Sequence, residues 1–107
     1  MTEVRYKQDR DHVRISIHGH AMFQPGNDPV CAAISQNSYN LLRNLGIYEK
    51  GGIITGVAAE AVPGAVTADF HVKHKDIWNV VWSVILTGYR IIEEKYPQNI
   101  HVEVEKE

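Results

Sequence analysis

Val13-Arg14-Ile15-Ser16-Ile17-His18 alternates apolar and polar side chains with a period of two. Beyond a short loop, Asp28-Pro29-Val30-Cys31-Ala32-Ala33-Ile34 opens a stretch in which apolar residues recur at helical spacing. The switch between these two periods decides the fold. The first pattern lays one face of a strand on a core and leaves the other in solvent. The second lays one stripe of a helix on the same core.

Working outward from there, residues 4–8 read as a preceding strand, and Asp9-Arg10-Asp11 joins it to the second as a hairpin. The helix is placed over residues 29–45, with Asp28 as N-cap, Pro29 at the first helical position and Gly46 as the stop. Val30, Ala33, Ile34, Leu41, Leu42 and Leu45 form its apolar face. After Gly51-Gly52, strands are expected over 53–62 and 65–73, joined by a type II turn at Pro63-Gly64. Val57, Ala59 and Ala61 share one side of the first. Val66, Ala68, Phe70 and Val72 alternate with Thr67, Asp69, His71 and Lys73 in the second. A second helix, N-capped by Asp76, runs to Lys95 with Ile77, Trp78, Val81, Trp82, Ile85, Tyr89 and Ile92 over a broad apolar face. Pro97 stops it, and Ile100, Val102 and Val104 mark a last strand.

The resulting order is ββαββαβ. Strands with one apolar and one polar face suit an antiparallel or mixed sheet with two helices on one face, an α+β two-layer sandwich. The 107 residues leave room for a single domain over 1–107, with no repeat or linker dividing it.

Composition narrows the function. The chain is 44% apolar and 22% charged, as in a soluble globular protein. Eleven Lys and Arg against 13 Asp and Glu give a charge of -2, which supplies no electrostatic ground for nucleic-acid binding. No apolar run is long enough for a membrane span, and Met1-Thr2-Glu3-Val4-Arg5 lacks the start of a secretory signal. A single cysteine, Cys31, rules out an internal disulfide framework and a Cys-rich zinc site. A cytoplasmic protein is expected.

Cys31 falls in the first turn of the expected helix, where backbone N–H groups point outward and the helix dipole favours negative charge. That is one route to a reactive thiol. His20 lies upstream in the loop. Folded back over the helix start, it would pair with Cys31 as base and nucleophile, the Cys31 amide then serving a developing oxyanion. Small-residue packing of Val30-Cys31-Ala32-Ala33 is the plain alternative. Strand parity puts His18 and His20 on the polar side unless Gly19 turns the chain, so His18 stays a rival base. Asp28 reads as a cap before it reads as a partner of imidazole. Ser35, four residues beyond Cys31, shares its helix face or hydrogen-bonds the preceding turn. His18, His20 and Cys31, or His71 and His74, fall short of a metal-ligand pattern, and Trp78 with Trp82 is most simply core.

Gly19-His20-Ala21, the loop after it, and Asp28-Pro29-Val30-Cys31-Ala32-Ala33-Ile34-Ser35 resemble the ribosomal-processing cysteine protease family, Prp. Length, element order and Tyr96-Pro97 before the last strand agree with it. The resemblance implies Cys31 as nucleophile and His20 as base, with Asp28 and Ser35 at motif positions around them. Gly19, Ala21 and Phe23 belong to the same expected site, Phe23 on a loop that orders around substrate. It further implies removal of the N-terminal extension of a large-subunit ribosomal protein by a cytoplasmic, cofactor-free homodimer. Pro29 and Gln36-Asn37 depart from the family pattern, and the latter bears on what packs beside the site. Two other readings stand beside this one: a non-catalytic module binding the ribosome or another protein through the sheet or the loop near Phe23, and the same chemistry on another precursor, such as a phage protein.

Overall fold

The computed structural model describes residues 1–107. Its elements are β1 (Thr2–Asp9), β2 (His12–His18), α1 (Pro29–Lys50), β3 (Ile54–Val62), β4 (Ala65–Val72), α2 (Lys75–Lys95) and β5 (Ile100–Lys106), in the expected order. The five strands form one mixed sheet in the order β3-β4-β2-β1-β5. β5 runs parallel to β1, and the other neighbours are antiparallel.

Alternation explains the two layers. Val4 and Tyr6 of β1, Val13, Ile15 and Ile17 of β2, and Ala68, Phe70 and Val72 of β4 are buried, while Arg5, Lys7 and Arg14 between them face solvent. Both helices close over the apolar face, and one cluster of 20 buried residues joins them to the sheet. Aromatic rings fill its centre. Tyr6 stacks on Trp82 with centroids 4.2 Å apart, and Phe70 meets Trp78 edge-on at 4.9 Å. The buried Tyr6 hydroxyl accepts from Trp78 Nε1 at 2.9 Å and donates to Gln8 Oε1 at 2.7 Å. Burial pushes the Tyr6 phenol up to about 12, against the smaller opposing effect of the Trp78 bond. No helix is long and apolar enough to cross a membrane.

Three local expectations need correction. α1 does not stop at Gly46 but continues to Lys50, where the Gly51 amide donates to the Ile47 carbonyl at 3.1 Å. A helical glycine costs only about 1 kcal/mol relative to Ala, and Leu45 and Tyr48 on either side keep the helix on the core. Asp76 is not the cap of α2. His74 occupies that position without a side-chain capping bond, and Asp76 sits in the first turn, where the helix dipole favours a carboxylate.

The third correction concerns β3. Its register against β4 shifts between Thr55 and Ala58, a bulge that leaves Val57 half-buried at the break. Ala59 and Ala61 do lie opposite Ala68 and Val66, on the helix side, yet both are exposed because no helix covers this end of the strand. Only Ile54 of β3 is fully buried. The apolar layer therefore ends in an open margin.

The Tyr6 hydroxyl is the test of the core. Tyr6→Phe leaves the Trp78 indole without an acceptor and Gln8 without a donor, and is expected to cost about 1–3 kcal/mol. Urea unfolding should show a lower midpoint at unchanged slope. A midpoint equal to wild type would mean that the buried network contributes nothing.

Candidate active site

The site lies where the end of β2, the start of α1 and the β3–β4 turn meet. Gly19 makes that meeting possible. Its φ of 102° lies in the left-handed region, and a Cβ there would stand 2.4 Å from the Met1 carbonyl oxygen. The reversal turns the chain off the polar sheet face, and the Gly19 amide donates to the Gly64 carbonyl at 2.9 Å. His18, before the turn, stays on the outer face in a groove with Glu3, Arg5 and Ser16. His20, after it, lines the same two cavities as Cys31. One backbone angle thus sends the two histidines to different sides of the sheet.

His20 lies against Gly64, where a Cβ would come within 2.9 Å of Nε2 and 3.1 Å of Cε1. A side chain at residue 64 would displace the imidazole. Two cavities flank the pair. The first, of about 390 Å3, lies between α1 and the β3–β4 tip and is lined by Ile17, Ile34, Tyr39, Ala61, Val62 and Val66, among others. The second, of about 640 Å3, lies under the loop with Met22, Gln24 and Asn27. His20, Cys31 and Ser35 border both. They stand at the crossing of the two spaces.

Cys31 is half-buried. Its sulfur accepts the Ala21 amide at 3.4 Å and has no hydrogen bond with His20. Ala21 itself is buried, and its carbonyl accepts from Asn99 Nδ2 at 2.9 Å. Asn99 joins the site without any signal in the local sequence. It holds the loop from the far end of the chain, just before β5.

Asp28 settles as a cap and as a latch. Oδ1 accepts the amides of Val30 (2.9 Å) and Cys31 (3.1 Å), and Oδ2 accepts those of Phe23 (2.9 Å) and Gln24 (3.2 Å). Burial alone would raise the Asp28 carboxyl, but the bonds from Cys31, Gln24, Phe23 and Val30 outweigh it and hold it below the ordinary 3.8. Asp28 makes no contact that orients His20. One expectation fails here: the Cys31 amide is committed to Asp28, and the Ala32 amide to the Asp28 carbonyl at 3.0 Å, so neither is open to an oxyanion. The Ala21 amide is the backbone donor that meets the sulfur.

The remaining residues separate cleanly. Ser35 opens onto both cavities, whereas Ser38 is buried, donating to the Ile34 carbonyl and bonded to the Tyr89 hydroxyl at 2.8 Å. Phe23 is half-exposed and packs edge-on against Tyr96 at 5.1 Å. Asn37 does not pack beside the thiol. It faces α2, donating to the Ile85 carbonyl at 3.0 Å and filling the space over Gly88. No group of three or more His, Cys, Asp or Glu is arranged to hold a metal. His71 lies across the sheet instead, stacked on His12 and near Asp11.

A thiol in the first turn of a capped helix is a recognised setting for a reactive cysteine, and this one shares its cavities with an imidazole. The chain belongs to the cysteine protease Prp family, whose model matches residues 1–101, and it is a cysteine protease. No curated protein matches it. Among solved structures it is similar to SMU.848 from Streptococcus mutans, at 19% identity and a TM-score of 0.69, over 100% of this chain and 96% of that one. It is also similar to the essential ribosomal processing protease Prp from S. aureus with a covalently linked product peptide, at 21% identity and a TM-score of 0.66, over 98% of this chain and 100% of that one. The same S. aureus protease with a substrate peptide matches at 20% identity and a TM-score of 0.62, again over 98% and 100%. At these identities the likeness is one of fold.

The Asp28 latch predicts an acid limb. Because its folded value is lowered, the stability it supplies is fully present above the ordinary 3.8 and is lost as pH falls through the lowered value. Thermal melts of wild type and Asp28→Asn should differ at neutral pH and converge in strong acid. A gap that stayed constant down to the lowest pH would remove the carboxylate from this role.

Proposed function

We propose that the protein is an endopeptidase that removes the N-terminal extension of a large-subunit ribosomal protein, with Cys31 as nucleophile and His20 as base. The single observation that carries the reading is the position of Cys31. A cysteine protease with one cysteine has one candidate thiol, and here it lies at the crossing of two cavities beside an imidazole. The ribosomal substrate is supported by the family resemblance and by the ribosomal processing activity of the S. aureus relative.

With substrate in place, the exposed His20 ring swings from Gly64 toward the sulfur and takes the thiol proton. Free-enzyme contacts of this kind are commonly loose and tighten in the complex. Sγ then attacks the scissile carbonyl carbon, and the oxygen that gains charge turns toward the Ala21 amide. Collapse breaks the C–N bond as His20 returns the proton to the departing amine. Water attacks the thioester, giving its proton to His20, and hydrolysis frees the acid and restores the thiol. Asp28 holds the loop and helix start in register, and Ser35 contributes a hydroxyl to the wall that both cavities share. None of these steps calls on a cofactor.

The family resemblance also supports a cytoplasmic homodimer. Ile77, expected on the apolar face of α2, is exposed instead, and with Val80, Val84 and Ile91 it forms a row at intervals of three, four and seven that offers a seam for a second copy.

Intact-mass analysis of an extended precursor tests the first proposal. Wild type should shorten it at one bond, and Cys31→Ala should be slower by about 10³-fold or more. Equal processing by the two proteins would sink the assignment of Cys31. For the second, sedimentation velocity should give twice the chain mass for wild type and the chain mass for Val84→Glu. A wild-type monomer at tens of micromolar would refute the dimer.

A further inference from the structure

The sheet has two edges, and they are treated differently. At β5 the outward backbone is occupied by side chains of α2: the Val102 amide donates to Glu93 Oε2 at 2.7 Å, and the Val102 carbonyl accepts from Arg90 at 3.1 Å. Glu103 and Glu105 add charge along the same strand. Such features keep a free edge from pairing with other chains. At β3, comparable cover is found only at the bulge, where the Val57 amide donates to Glu49 Oε2 at 2.8 Å. From Ala58 to Val62 the strand is exposed at every residue, carries one charge, Glu60, and contains no proline.

Which backbone groups face outward follows from the turn. Val62 pairs with Ala65 across Pro63-Gly64, and the closing pair of a two-residue hairpin exchanges both hydrogen bonds. Alternation then turns the N–H and C=O of Ala61, and again of Ala59, away from β4. Neither residue has a side-chain partner. Ala61 and Val62 also line the smaller cavity together with His20 and Cys31, so the open edge leads into the candidate site. The Gly19–Gly64 bond holds the tip of that edge against the end of β2.

We propose that the polypeptide substrate binds by adding a strand to the free edge of β3, hydrogen-bonding Ala59 and Ala61 and delivering its scissile bond to Cys31. This rests on the reading of the protein as an endopeptidase at that cysteine. An extended chain is the occupant because its alternating N–H and C=O groups complement the two unpartnered residues, as in other cases of strand addition. Every second side chain of the added strand would face the apolar floor built by Ile17, Ile34 and Val66. Main-chain pairing would supply affinity, and the floor would supply selectivity.

Residue-resolved amide exchange on the Cys31→Ala protein tests this, using a synthetic peptide that spans the precursor's extension and the residues after the cleaved bond. At saturating peptide, exchange at Ala59 and Ala61 should slow by about tenfold or more, whereas Glu60 and Val62, whose amides already face β4, should change little. No slowing at Ala59 and Ala61, or no binding, overturns strand addition. As a second measurement, Ala59→Pro removes one outward amide and spares the β4 ladder. It should raise KM for the precursor by about tenfold, with melting temperature and Cys31 alkylation by iodoacetamide as in wild type. An unchanged KM overturns the proposal. Slowing at Ala59 and Ala61 without cleavage by wild type refutes the endopeptidase and keeps the strand site. Cleavage without slowing does the reverse.

Discussion

The carboxylate of Asp28 is the constraint on which the site depends. Two of its bonds, to Val30 and Cys31, start α1, and two, to Phe23 and Gln24, fold the preceding loop back on that start. A single side chain therefore sets both where the sulfur sits and how the chain leading to it runs. Each contact is a hydrogen bond to an ionised acceptor, the stronger kind, and together they keep the group charged. The same commitment has a chemical consequence. It takes the Cys31 amide out of use and leaves the Ala21 amide, from the opposite side of the sulfur, as the nearby donor.

The other half of the site depends on close approach of backbone. Gly19 reverses the chain in a conformation that L side chains avoid, and Gly64 leaves room for the His20 ring. Asn99 joins the end of the α2–β5 connection to Ala21, so the loop is anchored to a residue 78 positions further along the chain. These contacts are short-ranged in space and long-ranged in sequence. They place the imidazole over an open margin of the sheet, the same margin whose edge lacks the side-chain cover seen at β5.

Much of the scaffold was legible because periodicity reports burial directly. Val13, Ile15 and Ile17 alternate, and all three are buried. Trp78, Trp82, Ile85 and Tyr89 recur at helical spacing, and all four are buried. Boundaries were less so. Gly46 looked like a stop, yet a helix continues through a glycine when residues on both sides are held by the core. Asp76 looked like a cap, yet the cap position falls two residues earlier, at His74, and the helix starts at Lys75. In β3 the alternation of Val57, Ala59 and Ala61 was real only after the bulge, and it did not mean burial, since side-chain direction says nothing about whether a helix lies above. Asn37, a polar departure that seemed to bear on the site, bonds the two helices to each other.

By itself the sequence determined the element order, the two apolar faces, the first-turn position of Cys31 and the Asp28 cap. All of these depend on residues within a turn or two of one another, where spacing translates into geometry. The tertiary structure decided which histidine shares cavities with the sulfur, which backbone amides are left without a partner, and which sheet edge is left uncovered. Those outcomes turn on contacts between Gly19 and Gly64, Ala21 and Asn99, and Val102 with Glu93 and Arg90. Most of them cross the chain between elements that only folding brings together, and no period or spacing encodes which of them will form.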